Sequence, residues 1–474
     1  MKWETVIGLE VHTELATKSK IFCSCTTAFG GEPNTHVCPV CSGMPGTLPK
    51  LNRLVVEYAL RVGLALNCVI TQNCKFDRKN YFYPDLPKAY QVSQLYSPIC
   101  RDGHLEITTE SGIKTIGIRE IHMEEDAGKL IHDSRSGGTF MDFNRCGVPL
   151  LEIVTYPDFR GSDEVNAFLE KLREILMYLG VSDGKMQEGS LRADVNLSVR
   201  PAGGVLGVRT EMKNLNSFKA IGSAIEYEAA RQIKILEVDG VVWQETRRWD
   251  DEKGESYVMR SKENAPDYRY FPEPDLLPIA IDDAWLARIK SSIPELAHQK
   301  RERYARDYGL SEFEASVITS HKNISDLFET ITERSGEPLE TAHLITGEIM
   351  RLMSLTNTLP ENLLLNIDKL AVLISLVVSG KINRNAYKET VEAVFRNDTD
   401  PEVYIAEKGL MMITDDKAVA LVADAVVAAN PDAVADWRAG KEKAFGFLMG
   451  QVMRELNGAG NPEMARKALK KVLD

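Results

Sequence analysis

The feature that most narrows the fold is a period-two pattern in four short stretches. Each puts apolar side chains on one side and catalytic-type polar groups on the other. Side chains alternate along a strand. From Thr5 to Leu15, Ile7, Leu9, Val11 and Leu15 therefore share one side, and Glu10, His12 and Glu14 share the other. In Leu191–Arg200 the apolar set is Leu191, Ala193, Val195, Leu197 and Val199, set against Arg192, Asp194, Asn196, Ser198 and Arg200. Val208–Lys213 sets Val208, Thr210 and Met212 against Arg209, Glu211 and Lys213, and Pro149–Val154 turns Glu152 away from Leu151 and Ile153. An ordinary half-exposed antiparallel sheet alternates in the same way. It does not account for polar sides that carry Glu, His, Asp, Asn and Arg in place of Lys/Thr runs. The pattern predicts a sheet whose polar face is an active-site floor.

A chain of 474 residues is too long for one ordinary core, and about 150 residues per domain gives roughly three. Up to about residue 290 the texture is Gly-, Pro- and β-rich, with helices expected at Leu51–Leu66, Ser162–Leu179 and Ser217–Leu236. Pro266, Pro272, Pro274 and Pro278 then crowd an extended connection. After Ile293 helix follows helix, with breaks at Gly336–Pro338, Asn357–Pro360 and Asn430–Pro431. Leu363–Val378 is apolar nearly all round, which predicts a buried helix. A second change of composition at Pro401–Thr414 leads into an Ala/Lys-rich tail, residues 415–474. The start enters a strand pattern directly, and no stretch is long and apolar enough to span a bilayer. A cytoplasmic protein without membrane contact is expected. The net charge of −12 argues against a simple basic nucleic-acid binder but leaves room for a local basic patch.

All eight cysteines fall in the first 146 residues. Cys23 and Cys25, then Cys38 and Cys41, form two close pairs joined by a short loop. Four thiolates so spaced can surround one tetrahedral Zn²⁺, with Pro39 and Gly43 favouring the tight turns. Four protein ligands leave no open position, so this zinc is expected to be structural. His36 is surplus to such a site. Cys68, Cys74, Cys100 and Cys146 read as buried small apolar groups.

The string His122-Met-Glu124-Glu125-Asp126 closes another strand with a carboxylate cluster. Clustered carboxylates repel unless a hard cation sits among them. Glu10, Glu125 and Glu152 with His12 suit Mg²⁺, and Arg192, Arg209 and Lys213 suit phosphate oxygens. These are the parts for phosphoryl transfer, in which catalysis is mostly positioning and charge neutralisation. There is no GxxxxGK[ST] loop, kinase signature or GxGxxG turn, so any nucleotide must be held by the sheet itself.

The motifs VIGLEVHTEL, KNYFYPDLPKAYQVSQ, IHMEEDAGKLIHD, FNRCGVPLLEIVTYPD, LRADVNLSVR, RTEMKNLNSF, DYRYFPEPDLLP and FLMGQVMREL resemble the GatB family, the B subunits of the glutamine-dependent aspartyl/glutamyl-tRNA amidotransferases. That resemblance implies an α+β architecture: an antiparallel-sheet cradle similar to the glutamine synthetase catalytic fold over residues 1–293, a helical domain over 294–405 and a tRNA-binding tail domain over 406–474. It implies an ATP- and Mg²⁺-dependent ligase that phosphorylates the side-chain carboxylate of Glu-tRNA(Gln) or Asp-tRNA(Asn). Ammonia then displaces the phosphate. A partner amidase supplies that ammonia through a channel, and a small third polypeptide completes a heterotrimer. On the matching motifs, Glu10, His12, Glu125 and Glu152 become the metal and nucleotide group. Asp194 and Glu211 become positioning groups, and Lys79, Tyr81 and Tyr83 the channel mouth. The competing reading is a zinc-containing tRNA-binding adaptor without chemistry of its own. It leaves the converging carboxylates unexplained.

Overall fold

The computed structural model describes residues 2–133, 135, 137–261, 267–413, 415–456 and 460–473. Pro266 and Thr414, named above, lie outside them. The chain divides into two compact units, Met1–Leu296 and Ala297–Asp474.

The first unit is built on a nine-stranded sheet. Its strands are β1 (Trp3–Glu14), β2 (Val69–Ile70), β3 (Cys100–Thr109), β4 (Gly112–Glu125), β5 (Pro149–Thr155), β6 (Leu191–Pro201), β7 (Thr210–Lys213), β8 (Glu245–Asp250) and β9 (Glu255–Ser261). Their order is β9-β8-β7-β6-β1-β5-β4-β3-β2. The four stretches read as alternating strands are β1, β5, β6 and β7. The sheet is mixed, which corrects the expected all-antiparallel arrangement: β7 and β8 run parallel. The reason is the helix α3 (Phe218–Glu237) between them, which carries the chain back to the starting end as a parallel pair requires.

Helices α1 (Arg53–Ala65) and α2 (Ser162–Tyr178), with α3, cover the apolar face. Ile7, Leu9, Val11, Ile121, Met123, Leu151, Ile153, Val195 and Leu197 are buried there. Phe159 and Phe168 meet edge-on at 5.2 Å. Asn52 and Ser217 start α1 and α3 by accepting from Leu54 N and Ala220 N, which satisfies amides that a helix start leaves open.

One buried polar knot fixes α3 to the sheet. Glu228 is wholly buried and accepts from Arg231 at 2.7 and 2.8 Å and from Gln232 at 2.8 Å. Gln232 also donates to Thr210 Oγ1 at 3.0 Å and accepts from Val199 N. Removing one member of such a set leaves a buried charge without its partner. Glu228→Ala is expected to cost about 3–5 kcal/mol, read as a shift of the urea midpoint. Glu228→Gln is expected to cost less.

A three-stranded sheet of Phe271–Pro272, Asp77–Asn80 and Tyr90–Ser93 joins the end of β4. Ser93 Oγ and Val92 N both donate to glutamates there. The strands Lys129–Asp133 and Gly138–Asp142 form a separate hairpin.

The second unit is helical among its described residues and holds two cores. One gathers Tyr304, Phe328, Ile345, Leu373 and Val391, with the Tyr304 and Phe328 rings 4.8 Å apart. The other gathers Val419, Ala423, Leu448, Val452, Ala465 and Leu469. Gly336 and Asn357 end their helices in the left-handed conformation, at φ 72° and 52°. The apolar run from Leu363 enters its helix only at Ile367, because Asn366 caps it by accepting from Lys369 N. That helix is not buried all round: Val372 and Val378 are 38% and 49% exposed. No single described helix is long and apolar enough to cross a membrane. Asp416–Ala429 and Pro431–Arg438 meet that test only jointly, with a 92° bend between them.

Candidate active site

Strand register sets the floor. Glu152 on β5 lies opposite both His12 on β1 and His122 on β4. His12 also lies opposite Arg192 on β6. One row further along, Glu10 faces Asp194. The next row holds Asn196 opposite Glu211. Paired residues share a face, so these side chains all stand on the face away from the helices.

Two ligand groups result. His12, Glu124 and Glu152 offer one atom each within 4.8 Å of one another, and so do Glu10, Asp194 and Glu211. The first group is closely held: Glu124 accepts from Ser93 Oγ at 3.0 Å and lies 3.8 Å from His12 Nε2. Burial and the neighbouring Glu152 carboxylate push Glu124 above the usual carboxylate range. Glu10 is pushed up by burial, then by Glu152 and Glu211. Burial also works against the Glu152 charge, but His12 and His122 outweigh it and hold that carboxyl low. Acids so placed are short of positive charge, and a carboxylate–imidazole donor set suits a divalent cation.

The cations on the floor are partly committed. Lys213 contacts Asp194 at 2.5 Å and Glu211 at 2.9 Å, and Thr246 Oγ1 donates to Glu211 at 2.7 Å. Arg192 donates to Asp126 at 2.7 Å. Burial opposes the Asp126 charge, but Arg192 and Arg145 hold it below its ordinary range. Beside it Glu14 is pushed up to about 8 by burial and by the Asp126 charge. Asp126, Glu14 and Arg145 are part of the site; alternation put Glu14 on the polar side and the acid cluster included Asp126, whereas nothing in the sequence pattern assigned Arg145 to it.

One placement is corrected. Glu125 is not on the floor. Ile121 and Met123 point to the apolar face, and Glu125, two further along, points there too. It accepts from Val92 N at 2.9 Å and forms a short ion pair with Lys88. Glu124 takes the position expected of Glu125. Arg209 is exposed and precedes β7, so it does not join the floor row. Glu10, His12, Glu152, Arg192, Asp194, Glu211 and Lys213 are brought together.

Lys79, Tyr81 and Tyr83 line a cavity of about 490 Å³ with Asp267 and Tyr268. The Lys79 ammonium lies 5.0 Å from the Tyr268 ring, which meets Tyr81 edge-on at 5.7 Å. Burial, then Asp85 and Glu124, raise the Tyr81 hydroxyl, which places this aromatic wall beside the Glu124 end of the floor. Tyr268 and Tyr270 are a missed part of that wall. Their signal was the tyrosine spacing within DYRYFPEP.

Cys23, Cys25, Cys38 and Cys41 bring four sulfurs within 4.8 Å of one another, with Cys38 and Cys41 3.8 Å apart. Sulfurs at about 2.3 Å from a tetrahedral Zn²⁺ are spaced close to this. The wholly buried Lys20 donates to His36 O at 2.7 Å and reaches Cys41 Sγ at 3.7 Å. A buried ammonium needs an anion, and a thiolate supplies it. These four residues fit a metal such as zinc, and the His36 ring stays outside the group. Gly43, at φ 70°, packs where a Cβ would lie 2.5 Å from Lys88 Cγ, so the cysteine knuckle rests on the lysine that holds Glu125.

Fold and site together define a sheet-based enzyme cradle with two cation-ready acid groups and a cysteine knuckle. Residues 5–287 match the GatB/GatE catalytic domain, and residues 326–473 match the GatB domain. The chain is 57% identical over 472 residues to the B subunit of the aspartyl/glutamyl-tRNA(Asn/Gln) amidotransferase of Lachnoclostridium phytofermentans, covering 99% of both chains. It is 55% identical to the protein of that name in Caldicellulosiruptor bescii and 52% to that in Thermoanaerobacter pseudethanolicus, covering 100% of both chains in each case. The chain belongs to the GatB/GatE family of tRNA amidotransferase B subunits.

Proposed function

We propose that this chain is the transamidating component of a cytoplasmic tRNA amidotransferase, acting on Glu-tRNA(Gln), Asp-tRNA(Asn) or both. The observation that carries the reading is the pair of carboxylate groups on one sheet face, beside Lys213 and Arg192. The names of the relatives supply the substrate class and imply partner polypeptides. The cradle's likeness to the glutamine synthetase catalytic fold belongs to the same reading.

The chemistry has two displacements. A side-chain carboxylate oxygen of the aminoacyl group attacks the γ-phosphorus of ATP; a C–O–P linkage forms and ADP leaves. Ammonia then attacks the acyl carbon, the C–N bond forms, phosphate leaves and one proton is lost. The first step brings two anions together on an acidic floor, so charge neutralisation dominates. His12, Glu124 and Glu152 would hold one Mg²⁺, and Glu10, Asp194 and Glu211 a second. Bound there, Mg²⁺ supplies charge neutralisation at the phosphates. Lys213 and Arg192 orient phosphate oxygens by charge-assisted bonds. Lys79 with Tyr81 and Tyr83 is assigned to the entry of ammonia delivered from a partner amidase, with a small third polypeptide completing the heterotrimer. The Lys79 ammonium repels NH₄⁺, and the aromatic wall of Tyr81 and Tyr268 passes the neutral NH₃.

The deciding experiment is co-purification with partners, followed by amidation of mischarged tRNA with ATP and glutamine. Product that requires ATP supports the reading. A complex that binds mischarged tRNA yet makes no amide, even with free ammonia, would leave the adaptor in its place.

We assign tRNA contact to residues 406–474, with the helical domain before them at 294–405. The helix Glu442–Glu455 carries Gly446 and Gly450, and a Cβ at either would meet nothing within 4 Å. Spacing of one helical turn predicts packing of these glycines against another helix. Among the described residues of this unit nothing covers their face, which suits approach of an RNA backbone. Lys443, Lys467, Lys470 and Lys471 suit phosphates, which position RNA without reading bases. Deleting residues 415–474 is expected to weaken mischarged tRNA binding about tenfold at roughly 150 mM salt and to flatten its salt dependence. Metal content should stay unchanged. Filter binding across a salt series measures it; equal slopes with and without the tail would contradict it.

A further inference from the structure

We infer that Arg248, beside a cavity of about 440 Å³ at the β8–β9 end of the floor, holds the terminal phosphates of a nucleoside triphosphate. The inference rests on the ATP-dependent reading above and gives that nucleotide a position.

Register places Arg248 on the floor. Lys213 pairs with Arg248 in the parallel β7–β8 ladder, and Arg248 pairs with Tyr257 on β9. The Thr246 bond to Glu211 fixes which face of β8 looks onto the floor, and Arg248, two residues on, shares it. The intervening Arg247 turns the other way and donates to Ser256 Oγ at 2.8 Å. One transverse row therefore runs Glu10, Asp194, Lys213, Arg248, with the acid group at one end and a guanidinium at the other.

Charge singles out Arg248 as a further phosphate-binding group. Arg192 and Lys213 bring to phosphate only the part of their charge that Asp126, Asp194 and Glu211 leave unmatched. Arg248 is exposed and, among the described residues, has no hydrogen-bond or ion-pair partner. A planar five-donor fork at the end of such a row matches two phosphate oxygens at once. A triphosphate spans the row, with its terminal oxygens between Arg248 and Lys213 and next to the Glu10 group. The cavity behind Arg248 is of ligand size. Its wall is held by Asn214, left-handed at φ 67°, which donates to Trp249 O at 2.9 Å. Asp250, Asp251 and Glu252 line the same cavity, with Asp251 accepting from Trp249 Nε1 at 3.1 Å and Asp250 3.6 Å from Lys253 Nζ; this acidic wall suits ribose hydroxyls and turns the chain of phosphates away from it, towards Arg248 and Lys213. The nucleotide then enters from this end, and the Lys79–Tyr268 cavity at the Glu124 end stays free for the entry of ammonia.

The test is nucleotide binding to the full-length chain in its purified complex, with Mg²⁺ and ATP, ADP or AMP, for the unsubstituted protein, Arg248→Met and Arg248→Lys. Arg248→Met should weaken ATP at least about tenfold, ADP less, and AMP by under about twofold; Arg248→Lys should fall between. ATP affinity within about twofold for Arg248→Met overturns the assignment and leaves the ATP-dependent reading standing. Equal losses for all three nucleotides also overturn it, because a disturbed fold does not discriminate among phosphates. An unsubstituted complex that binds no ATP overturns both.

Discussion

Glu124→Gln is expected to reduce ATP-dependent activation of the aminoacyl group by ~1000-fold or more, an effect of several kcal/mol. The amide keeps the shape and the Ser93 contact but removes one negative charge from the His12–Glu124–Glu152 group. Mg²⁺ binds through one or two carboxylates, so losing one removes much of its hold. Phosphate release measured with mischarged tRNA and free ammonia isolates this step from any partner's glutaminase. Glu125→Gln makes the contrast. It breaks the Lys88 pair on the opposite face and should lower the melting temperature, yet retain activation well above that of Glu124→Gln. Similar rates for the two variants, both near wild type, would remove Glu124 from the site.

Removal of metal from the cysteine knuckle should have the next largest effect. Cys38→Ser, or treatment with a strong chelator, is expected to take zinc content from about one per chain to near zero. A structural tetrathiolate site contributes folding free energy directly. A loss of ~4 kcal/mol corresponds to a fall of about 6 °C in melting temperature for a unit of this size. Lys20 sharpens the expectation, since without a thiolate at Cys41 its buried ammonium has only the His36 carbonyl. Zinc should be measured in reduced, freshly purified protein alongside the melt. Zinc-free protein with an unchanged melt would refute a structural role.

Much of the floor was legible because alternation is a local property. Glu10, His12, Glu152, Asp194, Glu211 and Lys213 each follow from counting in twos along their own strand. The same count on Ile121, Met123 and Glu125 identifies Glu124 as the floor residue; reading the acid cluster as one unit hides that parity and favours its neighbour. Other parts were not legible from any one stretch. Arg248 joins the row only because α3 returns the chain to lie parallel to β7, a pairing with no local signature. The effect of Asp126 on Glu14 depends on the ends of two distant strands meeting. Arg209 failed for a local reason, since its strand begins one residue later, at Thr210. The cysteine knuckle was legible in full, because sequence spacing and tetrahedral geometry constrain each other.

The strand Gly112–Glu125 works on both of its faces at once. Glu124 serves the acid group, and Glu125 ties the strand to Lys88, on which the cysteine knuckle rests. A slip of one residue exchanges the faces of every side chain on a strand. The strand already changes parity at Arg119, so the count that matters starts after it: inserting or deleting a single residue between Ile121 and Met123 would turn Glu124 and Glu125 to the other faces, disturbing the floor and the knuckle together. Gene variants in this segment should tolerate point substitutions at exposed positions far better than single-codon indels, whereas the loop at residues 202–208 carries no such parity constraint.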